Sequence, residues 1–135
     1  MEIDFFFLGT RAGGPNLLTC LALADRSSGA VAGTVAPKKG GTEAEFLVEW
    51  MTHHVSAWGY KDILLHADAE PAMVSLVKRI QKAREGRTVP EHGAGYSHQS
   101  QGLVEQAIKS LEGHTRTLLS NLAERLGVEF TEEDA

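Results

Sequence analysis

The sequence predicts an α/β domain with a mixed sheet, and three observations carry that expectation. Three apolar runs of strand length open the chain, separated by short turn-rich connections. Helical and strand-like segments then alternate, as in βαβ units. Last comes a long stretch, 99–126, with apolar residues at helical spacing.

The first strand is read in Ile3-Asp4-Phe5-Phe6-Phe7-Leu8, where bulky residues at both parities suit a strand covered on both faces. Gly9–Asn16, with the breaker Gly13-Gly14-Pro15, reads as a loop. Leu17–Ala24 is the second strand, Asp25–Gly29 a turn and Ala30–Ala36 the third strand, which together form an antiparallel meander. After the break at Pro37–Gly41, Leu47, Trp50, Met51, His54, Val55 and Trp58 recur at helical spacing, and Gly59 stops that helix. Asp62–Ala67 is a short buried strand ending at Asp68. Pro71 fits a first helical turn, and Met73, Leu76, Val77 and Ile80 carry that helix to about Glu85. Arg87–Glu91 is the last strand, and Gly93 and Gly95 mark a flexible link to the long helix. Along that helix Val104, Ile108, Leu111, Thr115, Leu118 and Leu122 keep to one stripe, and Gly127 ends it. One core domain is expected over residues 1–128, with a disordered acidic tail over 129–135.

At 135 residues the chain can bury one core but not two. Its apolar runs are too short for a membrane span, and no basic segment leads into an apolar stretch as in a signal peptide. Cys20 is the single cysteine, which excludes an internal disulfide framework and suits a reducing, intracellular compartment. The net charge of −5 speaks against a nucleic-acid partner, but −4 of it sits in the tail, leaving −1 on the rest. Lys78, Arg79, Lys82, Arg84 and Arg87 cluster around a lone Glu85, either as a solvated helix face or as a phosphate-facing surface.

Three acids stand where chemistry is expected. Asp4 interrupts an apolar strand, where a carboxylate is costly unless something offsets it. Asp68 ends a strand at its carboxyl end, where open α/β sheets place ligands. Glu105 lies early on the long helix at the border of its apolar stripe. Each has an ordinary alternative: a solvated strand end, a turn residue and a solvated glutamate. Together on adjacent strands and a helix across them, the three would repel one another, and a divalent cation would remove that repulsion. An all-oxygen set suits Mg²⁺ or Mn²⁺ rather than zinc.

Gln99-Ser100-Gln101-Gly102-Leu103-Val104-Glu105 resembles the Gln-Ser-x-Gly-x-x-Glu run that leads to the catalytic glutamate in integrases of retroviruses and LTR retrotransposons. Leu64-Leu65-His66-Ala67-Asp68 resembles that family's second acidic strand, and thirty-six residues lie between Asp68 and Glu105, a spacing like the family's. Asp4 in its opening strand matches the first acid, so the resemblance covers nearly the whole chain. It implies an RNase H-like fold, two Mg²⁺ (or Mn²⁺) ions on the catalytic residues Asp4, Asp68 and Glu105, and DNA 3′-end processing followed by strand transfer. It further implies a DNA partner contacted by Lys109, Gln99 and Ser100, a homodimer or higher homo-oligomer, and, in a eukaryotic retroelement, action in the nucleus.

The sequence also departs from the family. Ala69-Glu70 stands where the family commonly has Asn-Gly, and Glu112 where many relatives carry a base. Glu70 is either an extra ligand or a helix-start charge favoured by the dipole. No zinc set can be assembled from the adjacent pair His53-His54 and the single Cys20, so the likeness is to a catalytic core alone. Two other readings stand beside the enzyme: a degenerate or domesticated core kept for binding or dimerisation, and an RNase H-like nuclease acting on RNA–DNA hybrids.

Overall fold

Alternation along the first strand sets the architecture, because odd and even residues face opposite sides of a sheet. The computed structural model describes residues 1–9, 17–36, 42–92 and 102–128. Within them run β1 (Glu2–Gly9), β2 (Leu17–Ala24), β3 (Val31–Val35), α1 (Thr42–Ala57), β4 (Ile63–Ala67), α2 (Pro71–Ala83), β5 (Thr88–His92) and α3 (Gly102–Leu126). The acidic tail, the glycine-rich loop 10–16, the break at 37–41, and Gln99 with Ser100 lie outside the described residues.

The five strands form one sheet in the order β3-β2-β1-β4-β5. β1, β2 and β3 pair antiparallel, with Phe6 opposite Cys20 and Ala22 opposite Gly33. β4 joins β1 in parallel, with Glu2 opposite His66, and β5 joins β4 in parallel. This mixed sheet with its three helices is the α/β arrangement expected from the sequence and is compatible with an RNase H-like fold. Pro90 lacks a backbone N–H yet lies within β5, which an edge strand tolerates.

The odd residues of β1 and β4 face α1 and α2. There Ile3, Leu65 and Ala67 join Leu21, Leu23, Met51, Val55, Met73, Val77 and Ile80 in the main core. The even residues of β1 face α3, where Phe6, Cys20, Ala22, Ala24, Val104 and Ala107 make a smaller cluster. Gly33 permits that packing, because a Cβ there would stand 3.0 Å from the Leu111 side chain. Both faces are covered near the middle of β1 as expected, but Phe7 is 57% exposed, beyond the reach of the helices.

Two polar knots brace the end of the sheet where β1 begins. Asp25, buried in the β2–β3 turn, accepts hydrogen bonds from the Ser27 and Ser28 amides, the Ser28 hydroxyl and the Tyr60 hydroxyl. Burial opposes its charge, but these donors outweigh burial and hold its carboxyl below the usual range. Arg84, also buried, donates to the Lys61 carbonyl at 2.7 Å and to the Thr88 hydroxyl at 2.6 Å, tying the end of α2 to the strands beside it. Arg84 therefore leaves the basic cluster read from the sequence, and Arg87 lies 3.7 Å from Asp62. The helical stripe of α3 is likewise only half used. Val104 is buried and Ile108 and Leu111 pack against the sheet, whereas Leu118 and Leu122 are exposed because α3 runs past the sheet edge.

Candidate active site

The parallel seam between β1 and β4 brings the first two acids together. With Glu2 opposite His66, two steps along both strands lead to Asp4 and Asp68. Adjacent strands lie about 4.8 Å apart, so the two residues are lateral neighbours, Asp4 as the third residue of β1 and Asp68 just past the end of β4. Asp4 is an even residue of β1 and faces the α3 side, where Glu105 stands exposed in the first helical turn.

Asp4 is half-buried, and its Oδ1 accepts a hydrogen bond from the Phe5 amide at 2.9 Å. Its carboxyl is nevertheless pushed up to about 6, first by burial and next by the charge of Asp68, with Glu70 and Glu105 adding to the rise. The Phe5 amide pulls the other way and loses. The charges of Asp68 and Glu105 are thus both felt at Asp4. Asp68 Oδ1 accepts the Glu70 amide at 3.1 Å, an Asx turn that shapes the approach to α2. His92 Nδ1 lies 3.2 Å from the Asp68 carbonyl.

Glu70 occupies the N-cap of α2 ahead of Pro71, but its side chain makes no capping bond. Its charge is felt at Asp4, so it belongs electrostatically to the acidic group. Among the described residues, no three His, Cys, Asp or Glu side chains are arranged to hold a metal ion together. The carboxylates therefore share a field rather than a finished ligand cage. In charge and donor type the group fits Mg²⁺ or Mn²⁺: it is oxygen-only, and a divalent cation would relieve the repulsion that raises Asp4.

The remaining sequence candidates are placed less tightly. Lys109 is exposed on α3, one turn beyond Glu105. His66 Nδ1 stands 3.6 Å from a Glu91 oxygen, and its Nε2 is buried without a hydrogen-bond partner among the described residues. His98 lies outside the described residues. Lys78, Arg79 and Lys82 are exposed on the far half of α2, with Lys82 about 16.5 Å along the axis from its start at Pro71. That distance separates them from the acids.

Glu2 was missed in the sequence. It is only 5% exposed, and its Oε2 accepts the Val104 amide at 3.0 Å across 102 residues of chain. The one available signal was a second acid at the same strand parity as Asp4. A cavity of about 510 Å³ opens around Met1, Glu2, Asp25, Tyr60 and His66, towards the other end of the β1–β4 seam. It includes none of Asp4, Asp68 and Glu105.

Comparison with solved structures finds a similar fold in a retroviral intasome. One match is to a chain of the simian T-cell lymphotropic virus intasome in complex with PP2A regulatory subunit B56 gamma, with a TM-score of 0.61 at 18% identity. It covers 98% of this chain and 44% of that one, so the present chain spans less than half of its structural neighbour. No family model and no curated protein matches the sequence. At this identity the likeness is one of fold.

Proposed function

We propose that this chain is the catalytic core of an integrase-type polynucleotidyl transferase, with Asp4, Asp68 and Glu105 as ligands of two Mg²⁺ or Mn²⁺ ions. The observation that carries the reading is the Asp4 carboxyl, held near 6 by burial and by the charges of Asp68, Glu70 and Glu105. Perturbed acids of this kind concentrate at functional sites. The intasome neighbour and the Gln99–Glu105 motif favour phosphoryl transfer to or from DNA over other acid-cluster chemistries.

Divalent ions held there supply positive charge to the attacking and leaving oxygens of an in-line phosphodiester displacement. The protein's part is to hold and orient. Asp4 and Asp68 offer carboxylates from adjacent strands, and Glu105 offers a third from a helix packed across them. The exposure of Glu105 leaves the site open to a duplex end. Lys109 presents an ammonium group to a donor-DNA phosphate, a role shared with Gln99 and Ser100 through the motif. Donor-end processing and strand transfer by a homodimer or larger assembly complete the reading.

A second reading, a non-catalytic binding or dimerisation module, is favoured by the lack of a chelating trio among the described residues and by the −5 charge. Melting temperatures measured with and without millimolar Mg²⁺ or Mn²⁺ separate the two. Occupied at about 100 times its dissociation constant, the site stabilises the wild type by roughly 2.7 kcal/mol, and Asp68→Asn loses most of that gain. An equal gain in both proteins removes Asp68 from the site. No gain in either favours the module. For activity, reversal of strand transfer on a branched DNA substrate is the expected reaction, abolished by Asp68→Asn.

A further inference from the structure

We propose that Glu2 is a positioning residue whose buried carboxylate fixes the first turn of α3, and with it Glu105, against β1. The inference rests on the reading of Asp4, Asp68 and Glu105 as metal ligands. The first backbone N–H groups of a helix have no partner within it and are usually satisfied by a side chain just before the helix. In α3 the Val104 amide is instead satisfied from β1, by Glu2 Oε2 at 3.0 Å in a buried setting. The other carboxylate oxygen lies 3.5 Å from Arg26, whose side chain is 73% exposed, so the Val104 amide is the buried partner.

Across the sheet Glu2 is flanked by Ala24 on β2 and His66 on β4, and its outer oxygen faces Arg26. An aliphatic residue would pack there without the desolvation of a carboxylate, but it would leave the Val104 amide unpaired. A negative charge at a helix N-terminus is also favourable. The location of the bond is what ties it to the site. On the strand it is two residues from Asp4, on the same face, and on the helix it is one residue from Glu105. A single hydrogen bond thus couples the two elements that present the first and third acids, and the helix cannot slide or rotate on the sheet without breaking it.

Two variants of the full chain separate reach from charge. Glu2→Asp keeps the charge and the acceptor but is shorter by one methylene, whereas Glu2→Gln keeps the reach and an acceptor oxygen but loses the charge. The measurements are Mn²⁺ affinity and amide hydrogen exchange at Val104 and Glu105. Glu2→Asp is expected to weaken Mn²⁺ binding about tenfold or more, in the range found for residues that orient metal ligands, and to speed exchange in the first turn of α3. Glu2→Gln should bind Mn²⁺ almost as the wild type does. Wild-type affinity in Glu2→Asp, or a lower melting temperature with unchanged exchange in that turn, overturns the proposal. So does a loss of affinity in Glu2→Gln, which would make charge rather than the clamp responsible. A wild type that binds no Mn²⁺ overturns the metal reading instead, and exchange at Val104 then decides the role of Glu2 alone.

Discussion

The two faces of the sheet are built to different ends. Towards α1 and α2, β1 and β4 present Ile3, Leu65 and Ala67, each fully buried in the main core. Towards α3, β1 presents Glu2 and Asp4 before Phe6, and β4 presents Leu64 and His66 before Asp68. One face is close-packed, and the other carries buried or half-buried acids, of which Asp4 is held against its own charge. The first face supplies the fold, and the second uses part of that stability to hold charge.

Neighbouring leucines break the comparison most sharply. Leu65→Ala should cost about 3 kcal/mol in denaturant unfolding, as a fully buried leucine leaves a cavity between the sheet and its helices. Leu64→Ala, one residue earlier and 55% exposed on the other face, should change stability by no more than about 0.5 kcal/mol. Equal losses would mean that the open face is covered in solution.

Asp4 sharpens it next. Its folded value of about 6 lies above the 3.8 of an unperturbed aspartate, so the folded chain binds more protons than the unfolded one between those values. Its contribution is therefore most favourable below pH 3.8, declines as pH rises to 6, and stays low above that. Asp4→Asn should flatten this slope and raise stability at pH 7.5 without divalent ions by about 1 kcal/mol, a figure discounted for the partial solvation of the site. The same variant should lose the Mg²⁺-induced rise in melting temperature. A variant less stable than the wild type at every pH would show that Asp4 is a structural acid.

The smallest effect belongs to the far end of α3. Leu118→Ser, at a position 68% exposed, should shift the stability of the monomer by about 0.5 kcal/mol or less. A larger loss, dependent on protein concentration, would reveal that this half of the helix is buried between copies.

Most of the fold was legible because local pattern and burial agree. The strands, helices and their order follow the apolar runs and helical spacing, with strand ends displaced by about one residue, as at Thr88–His92. Asp4 was legible because a charge within Ile3–Leu8 contradicts its surroundings. Glu2 was not, because its partner lies 102 residues away and no short-range rule joins a strand-start glutamate to a helix amide. Arg84 was misassigned for a similar reason: in sequence it is one of five bases, and only the fold wraps it in the carbonyls of Tyr60 and Lys61. The exposed half of α3 misled the reading because periodicity reports which residues share a stripe, not whether a sheet extends beneath it.

The seam at Glu2 and His66 also governs when the acids meet during folding. The β1–β2–β3 meander closes over short connections, whereas β1 must wait for β4 across more than sixty residues, and α3 follows later still. Loops of that length make such contacts late and slow compared with hairpins. A chain emerging from the ribosome would complete its first sheet layer well before Asp4, Asp68 and Glu105 could meet, so the proposed metal site would be among the last features to mature.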